Sequence, residues 1–173
     1  MEPKCKVLWI ENGVRHEVAH LAAPVVLDGK YDLIVAEDAS AGIAQALASK
    51  FDVIIVDIRL PPGQSPEWVH LYQGLGGERF SARLGLSLLY TLLGHPDAWI
   101  DLGPRRPAWI TPFRIGVLTV ESKSELDEDL IKLGITVHAH KRAEISEEVL
   151  LELIQEVETQ IQKHAALPPA ESV

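Results

Sequence analysis

Cysteine is almost missing from this chain: Cys5 stands alone, so no disulfide can form within it. That excludes a disulfide-stapled scaffold and suits a reducing compartment, so a cytoplasmic protein is expected. Long apolar runs are missing too. None approaches the roughly 20 residues of a membrane span, and the start, MEPKCKVLWIENG, has too short an apolar segment for a secretory leader. No membrane partner is expected. Positive charge is scarce: 16 Lys and Arg face 25 Asp and Glu, giving a formal net charge of −9. Nucleic acid is therefore not an expected partner. The seven histidines offset that charge only at mildly acidic pH. A glycine-rich phosphate loop is also lacking. ENGVRHE, after the first apolar run, holds one glycine, which argues against a flavin or nucleotide binder.

What remains is ordinary globular material, 173 residues that are 47% hydrophobic and 24% charged, enough for one domain with a sizeable core. Residues 1–165 are expected to form it, with 166–173 as a flexible tail. Five short apolar runs predict strands at 6–10, 31–36, 52–57, 114–120 and 135–140. The third and fourth are nearly continuous in apolar residues, as parallel strands covered on both faces are.

Helical spacing fills the gaps. Val14, Val18, Leu21 and Val25 share one face, with Pro24 expected to kink or end that helix. Ser40 is expected to cap a helix with Ile43, Ala46 and Leu47 as its stripe. Leu84, Leu88 and Leu92 mark a third helix, over 81–94. Leu126, Leu130, Ile131 and Leu133 mark a fourth, stopped at Gly134. Ser146 is expected to cap the last, whose stripe is Val149, Leu153, Val157 and Ile161. Alternating β and α with right-handed crossovers predicts a doubly wound, five-stranded parallel sheet of α/β class. Its ligands belong beyond the carboxyl ends of the strands.

Those ends carry a coherent set of polar groups: Glu11 and Asn12, Glu37 and Asp38, Asp57, Thr119 and Lys141. Carboxylates can hold Mg²⁺. A hydroxyl and an ammonium can bind phosphoryl oxygens, and an aspartate can accept a phosphoryl group.

Several stretches resemble the receiver domains of two-component response regulators: VLWIEN, VDIRLPPG, GLSLLYTL, GVLT and HAHK. The resemblance covers roughly 4–161 and implies a flavodoxin-like (βα)5 fold. It implies Asp57 as phosphoacceptor, Thr119 as the switch hydroxyl and Lys141 as the lysine that bridges to the phosphoryl group. It implies Mg²⁺ held by Glu11, Asn12 and Asp57. It further implies a signalling module rather than an enzyme, working through a histidine kinase, a phosphotransfer protein or another protein partner. This chain departs from the family pattern at five places, the first being Glu11, which is longer than the usual aspartate. Asn12 replaces an acid, which lowers metal affinity. Val120 stands where a small residue is usual, and Arg142 where a proline usually follows the lysine. Ala139 and His138 stand near the usual aromatic switch position. These changes also suit an interaction domain that works without phosphorylation.

A competing pattern is RHEVAHL, in which His16, Glu17 and His20 match the H-E-x-x-H zinc hydrolase signature. Two histidines at i and i+4 can bind Zn²⁺ while the glutamate acts as base, with Glu37 as a third ligand. Against this, the histidines fall opposite the apolar stripe and are expected to face solvent, away from a cleft.

Two insertions, 64–80 and 95–113, flank the third helix and hold three of the four tryptophans: Trp68, Trp99 and Trp109. They are expected to pack together. With Arg105 and Arg106 the tryptophans form a candidate partner surface, and 64–80 is a candidate lid over Asp57.

Overall fold

The structure is a computed structural model that describes residues 3–13, 18–77, 83–142 and 144–166. Its centre is a parallel sheet of five strands: β1 (Cys5–Ile10), β2 (Tyr31–Ala36), β3 (Val53–Val56), β4 (Ile115–Thr119) and β5 (Val137–His140). They lie in the order β2-β1-β3-β4-β5, so the expected doubly wound sheet is found. Each predicted strand is present, the second with its ends unchanged and the others with ends moved by at most two residues.

The apolar runs explain the layering. β3 is central and all four of its residues are fully buried. Its side chains alternate between two cores. Ile54 and Val56 pack with helices α2 (Ala39–Ala48), α4 (Leu84–Leu93) and α5 (Lys123–Leu133) on one face. Val53 and Ile55 pack with α1 (Ala22–Asp28) and α6 (Val149–Ala165) on the other. Leu84, Leu88, Leu92, Leu126, Leu130, Leu133, Leu153 and Val157 are buried as their spacing requires. Each such side chain contributes about 1.5–3 kcal/mol. Ile131 differs: it is 78% exposed, because it lies off the face that Leu126, Leu130 and Leu133 share.

Helix ends correct three further expectations. The chain enters α1 through a 3₁₀ turn at Ala19–Leu21. Pro24 then sits in the first turn of α1, where a missing N–H costs nothing, and the helix runs on to Asp28. Val18, Leu21 and Val25 are buried; Val14 lies outside the described residues. Asp38, not Ser40, caps α2, its Oδ1 accepting the N–H of Ala41 at 2.7 Å. Ser40 is drawn instead into the loop after β3. Its hydroxyl bonds Pro62 O and accepts the N–H of Ser65. Ser146 is not the cap of α6 either: Glu148 stands at the N-cap without a side-chain cap bond, and Ser146 Oγ accepts the N–H of Glu148 at 3.2 Å in the turn before it. Gly94 and Gly134 close α4 and α5 with left-handed φ of 63° and 72°.

The first insertion forms a helix of its own, α3 (Pro66–Gly74). Trp68 anchors it, 2% exposed in the core. α3 does face the second insertion, across a groove floored by Leu71, Leu75 and Ile100. The proposed tail, apart from Ala166, lies outside the described residues.

Candidate functional site

Beyond the carboxyl ends of the strands lies a cavity of about 620 Å³, lined in part by Glu11, Asp57 and Lys141. Backbone pairing carries the two acids one residue past their strands. Glu11 N donates to Ala36 O and Asp57 N to Ile10 O, each at 2.9 Å. Asp57 is therefore held as rigidly as the sheet. From the far side of β4, Lys141 N donates to Thr119 O at 2.7 Å, and the side chain reaches back. Its ammonium donates to Glu11 Oε2 at 2.5 Å and to Asp57 Oδ2 at 3.0 Å. The three side chains are 2%, 4% and 10% exposed for Glu11, Asp57 and Lys141.

The other carboxylate oxygens are also engaged. Gly13 N–H donates to Glu11 Oε1 at 2.9 Å, and Arg59 N–H lies 3.3 Å from Asp57 Oδ1. Burial pushes the Glu11 carboxyl above its ordinary range. The nearby Asp57 charge adds to that rise, and the Lys141 ammonium offsets part of it. Two carboxylates and one ammonium sharing a buried space form a single electrostatic unit.

Thr119 does not line this cavity. It is fully buried at the end of β4, and its Oγ1 accepts the N–H of Glu121 at 3.4 Å. Val120, 43% exposed, lines the cavity in its place. Asn12 is exposed on the cavity lining. Arg142, Arg59 and His20 also line it. His20 was expected to face away from any cleft, and its place in the 3₁₀ turn brings it here. His16 and Glu17 lie outside the described residues. The residues of 64–77 do not line the cavity. The described part of that insertion does not cover Asp57 in this structure, and the Ser65 N–H bond to Ser40 Oγ ties its start to α2.

Sequence reasoning missed one buried acid. Glu121, 5% exposed, accepts from Arg59 Nε at 3.0 Å and lies 3.7 Å from Arg83. It joins the loop after β3, the approach to α4 and the loop after β4. The available signal was positional: Arg59 and Glu121 each lie two residues past a candidate site residue. Gly85 shows how tightly this region is packed. A Cβ there would fall 2.0 Å from Asp57 O, so only glycine lets α4 lie against the Asp57 backbone.

Of the candidate partner surface, Trp99 alone among the three tryptophans is exposed, at 71%. Trp68 is core. Trp109 is half-buried, its ring tilted against Phe51 at 6.3 Å. Arg105 is exposed, and Arg106 donates to Ile110 O at 3.3 Å.

A divalent cation can be tested against these donors. Glu11, Asp57 and the Asn12 amide offer oxygen ligands of the kind Mg²⁺ takes, and one or two carboxylates with water suffice. The set fits in kind. Its charge is lean, because two carboxylates face Arg59, Lys141 and Arg142 around the same cavity.

No family model matches the chain, and no curated protein matches it. Solved structures do. A CheY-like response regulator receiver domain protein from Methanospirillum hungatei matches with TM-score 0.58 at 16% identity, over 92% of this chain and 98% of the other. The receiver domain of a Francisella response regulator matches with TM-score 0.58 at 20% identity, over 93% and 99%. A response regulator protein from Burkholderia pseudomallei, solved with a phosphorylated aspartic acid, a calcium ion and citrate, matches with TM-score 0.56 at 20% identity, over 98% and 78%. The chain has the receiver, CheY-like fold.

Proposed function

We propose that this protein is a receiver-type signalling module whose input is phosphorylation of Asp57 and whose output is a protein contact. The observation that carries it is a carboxylate fixed at the end of the central strand, bonded to Lys141 and lining an open cavity. An Asp57 oxygen attacks the phosphorus of a phosphohistidine on a kinase or phosphotransfer partner. The P–N bond breaks, and its electron pair leaves on the imidazole. Lys141, already 3.0 Å from Oδ2, balances the added negative charge. Glu11, Asp57 and Asn12 would hold Mg²⁺, which supplies charge neutralisation at the phosphoryl oxygens when bound. Thr119 would move from Glu121 N–H toward the phosphoryl group. The module is modified once per cycle rather than turning over a substrate, and it works in the cytoplasm. Among the described residues, no helix is long and apolar enough to cross a membrane.

A second reading has its own observation. The Lys141 ammonium already satisfies both carboxylates, as a domain recognised without phosphorylation would need. One experiment separates the two. The protein is incubated with acetyl phosphate and Mg²⁺ and its mass measured, with Asp57→Ala as control. Gain of one phosphoryl group, absent in the variant, is expected. An unchanged mass, with no beryllofluoride-induced NMR shifts near Asp57, would sink the phosphorylation mechanism and leave the second reading.

A further inference from the structure

The groove between α3 and the second insertion has a character distinct from the Asp57 cavity. It measures about 500 Å³. Leu71, Leu75 and Ile100 give it an apolar floor, and Trp99 forms one wall. A tryptophan left 71% exposed beside such a floor is unusual for a surface that meets only water. The rim is acidic. Glu67 comes from the first turn of α3, and Asp101 stands two residues beyond Trp99. The Asp101 carboxylate is oriented by its bond from Gly103 N–H at 2.8 Å. The remaining polar side chain is His70, and no lysine or arginine among the described residues lines the groove.

These features define one kind of occupant. An indole face attracts a cation, and two carboxylates near it strengthen that attraction. The apolar floor takes an aliphatic or aromatic neighbour. We infer that the groove docks a basic peptide segment of a partner protein, with a Lys or Arg over Trp99 between Glu67 and Asp101 and an apolar residue against Leu71 and Ile100. The chain's net charge of −9 favours the approach of such a partner. This surface does not depend on the chemistry of Asp57.

The test is selection of a randomised phage-displayed peptide library on the full chain, then titration of the recovered peptides as synthetic versions. The expected peptides carry Lys or Arg beside an apolar residue. Trp99→Ala and the pair Glu67→Gln/Asp101→Asn should each weaken them by roughly tenfold, while Asp57→Ala binds as the parent does. Circular dichroism checks that the variants stay folded. Recovery of acidic peptides, of none, or of peptides that bind both groove variants unchanged would overturn the inference. So would a dimer in sedimentation velocity that Trp99→Ala abolishes, since the groove would then belong to a second copy.

Discussion

The two ends of the sheet hold cavities of nearly equal size, about 620 Å³ at the carboxyl end and about 630 Å³ at the amino end. Both carry acids facing bases. At the carboxyl end Asp57 is 4% exposed and its partner Lys141 is 10% exposed. At the amino end Asp52 is 48% exposed and Arg114 is 21% exposed, 4.0 Å apart. Cys5 and Tyr31 sit near the second pair. Burial pushes the Cys5 thiol up to about 12, helped by Glu158 and Asp52, which keeps it an unreactive thiol. Tyr31 is likewise raised, by burial and by its 2.7 Å bond to Glu158. The amino end is a place where charges meet water and cancel cheaply. The carboxyl end buries three charged side chains at the floor of its cavity, so a small chemical change among them has a large electrostatic effect.

Removing the cation from the buried end should break this contrast most sharply. Lys141→Met leaves Glu11 and Asp57 together without the cation bonded to both, and a loss of about 3–5 kcal/mol is expected in urea unfolding at neutral pH. Adding Glu11→Gln to that variant should recover a substantial part. If the double variant is no more stable than the single one, the three groups do not act as a unit. Next comes Gly85→Ala, which drives a methyl group into the Asp57 carbonyl. About 1–3 kcal/mol should be lost, with NMR shifts centred on 57–58 and none near Asp52.

The Glu11 carboxyl then gives a pH signature. Its pKa is raised on folding above 4.5, chiefly by burial. The folded state binds that proton more tightly than the unfolded state does. Its contribution is fully present below 4.5 and is lost as pH rises through the folded value. Glu11→Gln should therefore flatten a fall in stability on the alkaline side of 4.5. Urea unfolding across that range checks it, and identical pH slopes for the two proteins would refute it. The smallest effect belongs to the amino end. Asp52→Asn should cost no more than about 1 kcal/mol, because Asp52 itself is half-solvated. A larger loss in thermal unfolding would erase the distinction between the two ends.

Much of this was legible in the order of residues. Val53–Val56 can only be a strand covered on both faces, and an aspartate placed directly after it must stand at the rim. Glu11 and Lys141 follow their own strands in the same way. Caps were harder to read. EDAS offers both Asp38 and Ser40, and the choice turned on Pro61 and Pro62, whose carbonyls take the N–H groups of Ala39 and Ser40. Glu121 reads locally as a solvated acid beside a helix cap. It is buried because Arg59, 62 residues away, comes to meet it. Trp68 and Trp99 look alike in sequence. One anchors α3 in the core and the other stays outside, a distinction set by packing between segments that no local pattern encodes.

Lys141 belongs by backbone to the margin of the sheet and by charge to its middle. β5 is an edge strand, with one side of its ladder paired to β4, yet the ammonium that follows it rests on acids from β1 and β3. The side chain is thus a lever laid across β4. What shifts β5 therefore shifts the one cation that the two buried acids share.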